Sequence, residues 1–351
     1  MRILIGEISS YKAIVIARHI RQHYRDVEIW AYDYKPLVNI LHTKYVDQYV
    51  RLQNDSIDNY INNLSQYVHN NHIDVFIPVH SDYIGLILQQ KNLFNHALDY
   101  MGDYNDYIRL HEKDQLMKLA RSIGIRVPRE YTSIAEAVTP FVIKPTDKSS
   151  AKGVRYCMDE VEKHAYTSLP ANTICQEYIY GQGCGYEVYC KNGQILVEYG
   201  HKRLAEWPIS GGSSVLREAY MHTDMRPIAE QILQKVKWSG YAMFEFKLTP
   251  NNELVLIEVN PRIWGSINQA LQDKCPLFAP LLKREIPSYT SQKGVRTCLK
   301  PQILLAALGY GLRGNWTVLG DYWRNYKKTF GDVSPWDDPC GWISMVIRKI
   351  V

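Results

Sequence analysis

Apolar residues gather at 2–5, 27–31 and 74–79 in short β-branched runs, and helical periodicity fills 10–23, 55–71 and 82–91 between them. That alternation predicts a small parallel sheet with helices on its faces over residues 1 to about 100. Beyond it the pattern changes. Residues 108–128 read as a helix that carries Lys113 near its start and closes at Gly124, before a Val-Pro. Residues 141–145 read as a buried strand ending on Lys144-Pro145, followed by a polar loop at 146–153 and a short strand at 154–157. A strand at 173–179 leads to a glycine-rich turn, Gly181-Gln182-Gly183-Cys184-Gly185, and to strands at 186–190 and 195–199 joined by Lys191-Asn192-Gly193. Residues 224–238 form an amphipathic helical pattern, and helix is expected from 266 to about 283 and over 301–312.

The most informative stretch is 241–266, YAMFEFKLTPNNELVLIEVNPRIWGS. Residues 242–248 and 253–259 are apolar strand patterns on either side of Thr249-Pro250-Asn251-Asn252, which is turn chemistry. Glu258 and Asn260 are two apart, so they share one face of the strand, and Glu245 can face them across the hairpin. Two carboxylates and an amide oxygen at a strand end make a hard-oxygen site suited to Mg²⁺ carrying nucleotide phosphates. Arg262 just beyond could hold an anion. A surface hairpin with two solvated acids is the alternative, but Val255, Leu256, Ile257 and Val259 surround Glu258 with apolar neighbours, where a carboxylate needs a partner.

Composition narrows the class. At 351 residues, 46% hydrophobic and 22% charged, the chain is an ordinary globular protein of two or three domain-sized units. A formal charge of +5 suits small anionic substrates and is too dispersed to indicate nucleic acid. Seven cysteines with no CxxC pair indicate neither a disulfide framework nor a zinc cluster, so a reducing, cytoplasmic setting is expected. The N-terminus reads as a buried strand rather than a signal peptide, and the longest apolar run, 303–312, is too short for a membrane span.

Several loops carry candidate chemistry. The turn Gly6-Glu7-Ile8-Ser9-Ser10 lacks the further glycines of a dinucleotide fingerprint, which disfavours a dehydrogenase even though Asp33 ends the second strand. Pro78-Val79-His80-Ser81-Asp82 is either a ligand-facing crest or a segment in which Ser81 or Asp82 caps the next helix. The loop 146–153 has hydroxyls and lysines but no Walker spacing, so it is a phosphate lid or a solvated loop. His201-Lys202-Arg203 followed by Ser210-Gly211-Gly212-Ser213-Ser214 suits a flexible segment closing over an anion, or an exposed loop with incidental charge.

The order of these pieces is more specific than any one of them. A lysine-bearing helix running into GIRVP, FVIKP with a Ser/Gly loop, QEYI with a glycine-rich segment, and FEFK…LIEVNPR together resemble the ATP-grasp superfamily over residues 107–272. The α/β segment before them looks like that superfamily's usual N-terminal domain. QEYIYGQGCGYEV, HKRLAEWPISGGSSVLRE and IEVNPRIWGS are similar to stand-alone carboxylate–amine ligases of the carbamoyl-phosphate-synthase-like type.

The resemblance implies a chain that is α/β and α+β. It would comprise an N-terminal parallel α/β domain (1–106), a small ATP-binding lid subdomain (107–180), a large antiparallel-sheet subdomain with the metal site (181–284), and a short helical extension (285–351). It implies ATP and Mg²⁺ (or Mn²⁺) as cofactors. Lys113 and Lys144 would meet the phosphates, Ser149, Ser150 and Gly153 would belong to the phosphate loop, and Glu177, Tyr178 and Ile179 would meet adenine largely by backbone. Glu245, Glu258 and Asn260 match the metal positions, and Arg262 would touch phosphate or substrate carboxylate, with His201, Arg203 and Arg217 as further candidates for the same anionic centre. The acid expected to bind ribose is not evident in GQGCG, where Gln182 or Glu187 would have to serve. The implied reaction joins a carboxylate to an amine through an acyl phosphate; a kinase, a carboxylate–thiol ligase and a non-catalytic nucleotide-binding protein are the alternatives. Expected partners are small-molecule carboxylates and amines, without nucleic acid or an integral membrane segment. A homodimer and a weak peripheral membrane contact through the C-terminal tail are open alternatives.

Overall fold

A computed structural model describes residues 1–34, 41–53, 56–147, 153–209 and 211–348. The N-terminal unit runs β1 (Arg2–Ile5), α1 (Tyr11–His23), β2 (Glu28–Asp33), β3 (Gln48–Arg51), α2 (Ile57–Asn70), β4 (Val75–Ile77) and α3 (Ser81–Gln89). Its four strands are parallel in the order β3-β2-β1-β4. β3 was not legible in the pattern, because its half-exposed QYVR offers no apolar run. Helix starts follow local chemistry: Ser10 Oγ accepts from the Ala13 amide (3.2 Å) and Ser56 Oγ from the Asn59 amide (3.2 Å). The strand order switches sides between β1 and β4, and such a switch opens a crevice at the carboxyl ends of the strands.

Two helices, α4 (Tyr104–His111) and α5 (Lys113–Ser122), lead to a small antiparallel sheet. Its strands are β5 (Glu130–Tyr131), β6 (Phe141–Pro145), β7 (Arg155–Cys157) and, after α6 (Glu160–Lys163), β8 (Thr173–Glu177), ordered β5-β8-β6-β7. The large sheet follows: β9 (Gln182–Lys191), β10 (Gln194–Trp207), β11 (Ser213–Ala219), α7 (Met225–Val236), β12 (Gly240–Leu248), β13 (Leu254–Asn260) and α8 (Ile267–Gln272). Apolar cores cover both its faces. Tyr186, Val188, Phe244 and Phe246 pack with Ile232 and Trp238 on one side; Tyr189, Tyr241 and Met243 pack with Trp264, Phe278 and Ile14 of α1 on the other.

Three expectations are corrected. Residues 285–351 are no separate helical tail: β14 (Arg296–Cys298), α9 (Gln302–Leu312), α10 (Thr317–Arg324), β15 (Thr329–Gly331) and α11 (Pro339–Ile347) follow α8, and β14 and β15 complete a seven-stranded sheet, β13-β12-β9-β10-β11-β14-β15. Helix after Ser266 ends at Gln272 rather than near 283, since Pro276 and Pro280 lack the amide a helix needs and Lys274 takes a left-handed φ of 61°. The glycine-rich segment is strand rather than turn. β9 passes between β10 and β12, and Gly183 and Gly185 leave room for side chains of β10 that cross it. A Cβ on Gly185 would lie 2.9 Å from His201 Nδ1, and one on Gly183 would lie 3.1 Å from Arg203 Cδ. Among the described residues no helix is long and apolar enough to cross a membrane.

Gly185→Ala is therefore expected to overpack the sheet and destabilise the protein by about 1–3 kcal/mol, read as a lower urea midpoint at unchanged slope.

Candidate active site

A cavity of about 850 Å³ lies where the three sheets meet. Lys144, Tyr156 and Glu177–Ile179 line it from the small sheet and its exit, Lys113 from α5, and Arg203, Glu206, Glu245 and Glu258 from the large sheet. Its far end is walled by Glu7, Lys12, Val79–Asp82 and Arg348, at the crevice of the N-terminal sheet.

Its centre is the β12–β13 hairpin. A register shift between Glu245 and Phe246 makes Phe246 face Leu256 and Glu245 face Glu258, so Ile257 is an extra residue on β13. This bulge turns Glu258 onto the face that carries Glu245; an unbroken ladder would set Ile257 there. Like charges directly opposite one another are unfavourable, and the structure supplies compensation. Asn260 Nδ2 donates to Glu258 Oε1 (2.9 Å) and Glu245 Oε1 (3.3 Å), Lys113 Nζ lies 3.7 Å from Glu258 Oε2, and Arg203 Nη2 pairs with Glu245. Burial pushes the Glu245 carboxyl up, with Arg203 opposing and Glu258 reinforcing. Burial acts the same way on Glu258, but Lys113, Asn260 and Lys144 outweigh it and hold that carboxyl below its ordinary range. Lys144 is in turn lowered to about 8, chiefly by burial and against the pull of Glu258.

Asn260 was expected to turn its oxygen toward the acids. Instead its NH₂ bridges them, because a donor is the stable neighbour of two carboxylates, and its Oδ1 accepts from Arg262 Nη2 (2.8 Å). Glu245 and Glu258 keep about a fifth of their side chains exposed to the cavity (19% and 21%). Two carboxylates and a rotatable amide form a hard-oxygen set that fits Mg²⁺ with phosphate and water completing the shell. Among the described residues, no three His, Cys, Asp or Glu side chains gather as a self-sufficient metal cage.

Known proteins resemble this chain in sequence and in fold. Residues 110–266 match the ATP-grasp domain family. Over that stretch the chain is similar to ATP-grasp domains. A D-alanine–D-alanine ligase of Fusobacterium nucleatum is 27% identical over 165 residues, which cover 42% of this chain and 55% of that relative. The match thus spans about half the relative's length. Among solved structures, biotin carboxylase from Campylobacter jejuni superposes with a TM-score of 0.65 at 14% identity, over 84% of this chain and 74% of that one. L-amino acid ligase from Bacillus licheniformis gives 0.59 at 14% identity, over 78% and 70%, and these structural likenesses show a shared fold.

Lys113, Lys144, Glu177, Tyr178, Ile179, Arg203, Glu245, Glu258, Asn260 and Arg262 share the cavity. The amides of Glu177 and Tyr178 already donate to the carbonyls of Arg129 (2.9 Å) and Pro140 (3.1 Å). Other expected residues lie elsewhere. Ser149 and Ser150 fall outside the described residues. Gly153 takes a left-handed φ of 77° over Pro145, away from the cavity lining. Gln182 is exposed and donates to the Arg203 carbonyl, while Glu187 is wholly buried, 2.8 Å from Ser266 Oγ and 3.1 Å from His201 Nδ1. Neither reaches a ribose from there. The basic triplet lies on β10 rather than in a mobile loop, so Arg203 reaches the cavity across Gly183 and His201 is sealed beneath it. Burial pushes the His201 pKa down, with Glu187 opposing.

Arg217 is a structural cation. Its Nη2 lies 2.5 Å from Asp332 Oδ2, both side chains are almost fully buried, and Asp332 Oδ1 accepts from Asn268 (3.0 Å). Six cysteines are buried and none lines the cavity; burial raises the Cys184 and Cys190 thiols to about 12. The helix start at Ser81 is capped by His80, whose Nδ1 accepts from the Asp82 amide (3.3 Å), so the crest both caps and faces the cavity. Sequence reasoning missed Glu7, Lys12, Glu206 and Arg348. Glu206 comes beside Arg203 (3.3 Å) through register shifts in β10, and Arg348 arrives from the far end of the chain, where no local signal marks it.

Arg217→Met should cost roughly 3–5 kcal/mol in denaturant unfolding by stranding Asp332, and adding Asp332→Leu should recover most of that loss.

Proposed function

We propose that the protein is an ATP-dependent ligase that joins a carboxylate to an amine through an acyl phosphate, releasing ADP and phosphate. The observation that carries this reading is the single cavity joining the Lys113–Lys144–Glu258 centre to the crevice of the N-terminal sheet, so a nucleotide and a second ligand share one chamber. Likeness to the D-alanine–D-alanine ligase over the matched stretch supports it.

Lys113 and Lys144 would hold the phosphates, and Glu177, Tyr178 and Ile179 would flank adenine; with two amides engaged, base contacts fall to Ile179 and to carbonyls. Glu206 replaces Gln182 and Glu187 as the acid near the ribose, since it lines the cavity and they do not. Glu245, Glu258 and Asn260 would hold Mg²⁺, which when bound supplies positive charge against the phosphate oxygens. Arg262 and Lys12 face the boundary with the N-terminal crevice, and burial together with Arg262 lowers Lys12 to about 7. They orient the acid whose oxygen attacks the γ-phosphorus as the bond to ADP breaks. Positioning and charge do most of the work, and no side-chain nucleophile is required. Ile209 and residues 211–214 line the cavity and would exclude water from the acyl phosphate.

Outside the site, Leu304, Leu305, Leu308, Leu312 and Trp316 leave an apolar row exposed on α9 and the turn after it. This row supports the tail as the contact surface for a second copy of the chain or for a membrane surface.

An ADP-release screen over pooled carboxylates and amines is expected to show turnover that needs both; stable phosphorylated product without an amine would indicate a kinase. Glu258→Gln should lower turnover by about 100-fold or more while the protein still folds, as circular dichroism would show. Unaltered turnover would remove the metal assignment.

A further inference from the structure

One carboxylate in the cavity has no task in the scheme above. Glu7 follows β1 at the point where the strand order switches sides beside β4, the position at which open parallel sheets receive ligands. It sits in the left-handed region, with φ at 51°, and is 1% exposed. A non-glycine residue in that conformation costs free energy, and such costs concentrate at functional positions.

Its two oxygens differ. Oε2 pairs with Arg348 Nη2, while Oε1 has no hydrogen-bond partner among the described residues. His80 Nδ1 lies 3.8 Å from Oε1, beyond hydrogen-bond distance, and accepts from the Asp82 amide (3.3 Å). A buried carboxylate oxygen left this way is costly unless a donor arrives from the cavity. Arg348 is held in place separately: its Nη1 donates to Ser9 Oγ (2.7 Å) and lies 3.4 Å from Asp33 Oδ2, which Ser9 Oγ also meets at 2.5 Å. The last described residue of the tail thus fixes one oxygen of Glu7, and the other stays buried in the cavity wall without a hydrogen-bond partner among the described residues.

We propose that Glu7 is the amine subsite of the ligase, accepting a hydrogen bond and then a proton from a substrate's primary ammonium group, with Arg348 as its positioning residue. This rests on the ligase reading. The ammonium passes one proton to Glu7; the neutral nitrogen attacks the acyl carbon, and the C–N bond forms as the C–O bond to phosphate breaks. The second proton leaves with the phosphate as hydrogen phosphate, and Glu7 returns its proton to water. Burial lifts the Glu7 carboxyl to about 7 against the opposing pull of Arg348, which suits proton exchange with an amine near neutrality. The groups facing it are Arg348 from the tail, Asp33 from β2, Lys12 from α1 and His80 before α3. Tyr34, Tyr32 and Tyr60 also face it, and burial pushes their pKa values up, so they stay neutral.

Hydroxylamine separates the steps, because its nitrogen is unprotonated near neutral pH and needs no carboxylate to strip it. Full-length protein with Mg²⁺ and ATP is given pooled amino acids, hydroxy acids and dicarboxylates, with either hydroxylamine or pooled primary amines. Hydroxamate and amide are then measured. Glu7→Gln should keep hydroxamate formation within about twofold while amide formation falls about 100-fold or more. Amide formation that survives in Glu7→Gln, or that is lost instead in Asp82→Asn, overturns the assignment. So does a wild type that makes hydroxamate but no amide with any primary amine. A wild type that makes no hydroxamate overturns the ligase reading itself.

Arg348→Ala gives a second test that leaves Glu7 in place. Removing the cation raises the Glu7 carboxyl further, and the base form is the active one. The acidic limb of kcat/KM for the amine should therefore move to higher pH, with Arg348→Lys restoring most of the shift. A uniform loss without movement of the limb would make Arg348 merely structural and overturn its role.

Discussion

The site is organised by a like-charge contact. Glu245 and Glu258 stand directly opposite each other on neighbouring strands, where two carboxylates repel. The arrangement persists because cations and one amide converge on it from different parts of the chain: Lys113 at the first residue of α5, Lys144 at the end of β6, Arg203 from two strands away, and Asn260 on β13 itself. Each of these positive groups is itself partly desolvated, so acids and bases stabilise one another in place.

Several otherwise unrelated features serve this balance. Gly183 and Gly185 lack side chains so that Arg203 and His201 can lie across β9. The Lys113 amide donates to the Thr146 carbonyl (3.1 Å), tying the start of α5 to the loop after β6 and fixing both lysines relative to one another. The tail adds two strands to the large sheet and anchors them through the buried Arg217–Asp332 pair, which brings Arg348 back to the first strand of the chain. The N-terminal sheet, the small sheet, the large sheet and the tail thus all contribute walls to one chamber.

Much of this was legible without coordinates. Alternating strand and helix patterns announced the N-terminal parallel sheet, and the motif order from GIRVP to LIEVNPR announced the stretch that matches the ATP-grasp domain family. Lys113, Lys144, Glu245, Glu258, Asn260 and Arg262, each at an element end or beside a strong pattern where a local signal exists, do line one cavity. Residues whose meaning depends on register were misplaced. Gln182, Glu187, His201 and Arg217 lie close in sequence to cavity residues, yet strand alternation and burial send them elsewhere.

The sequence by itself determined which residue types were available and which local elements would carry them, because propensity, turn chemistry and hydrophobic period act over a few residues. The tertiary structure alone decided which of them meet. One inserted residue, Ile257, puts Glu258 on the face of Glu245, and a shift of one position flips a side chain across a sheet. Likewise Glu7 and Arg348 are separated by 341 positions and joined by an ion pair at the crevice, a contact that only the packing of the tail against β1 creates. The hairpin's acids are a sequence motif; the cations around them and the Glu7 oxygen left unpartnered among the described residues are products of folding.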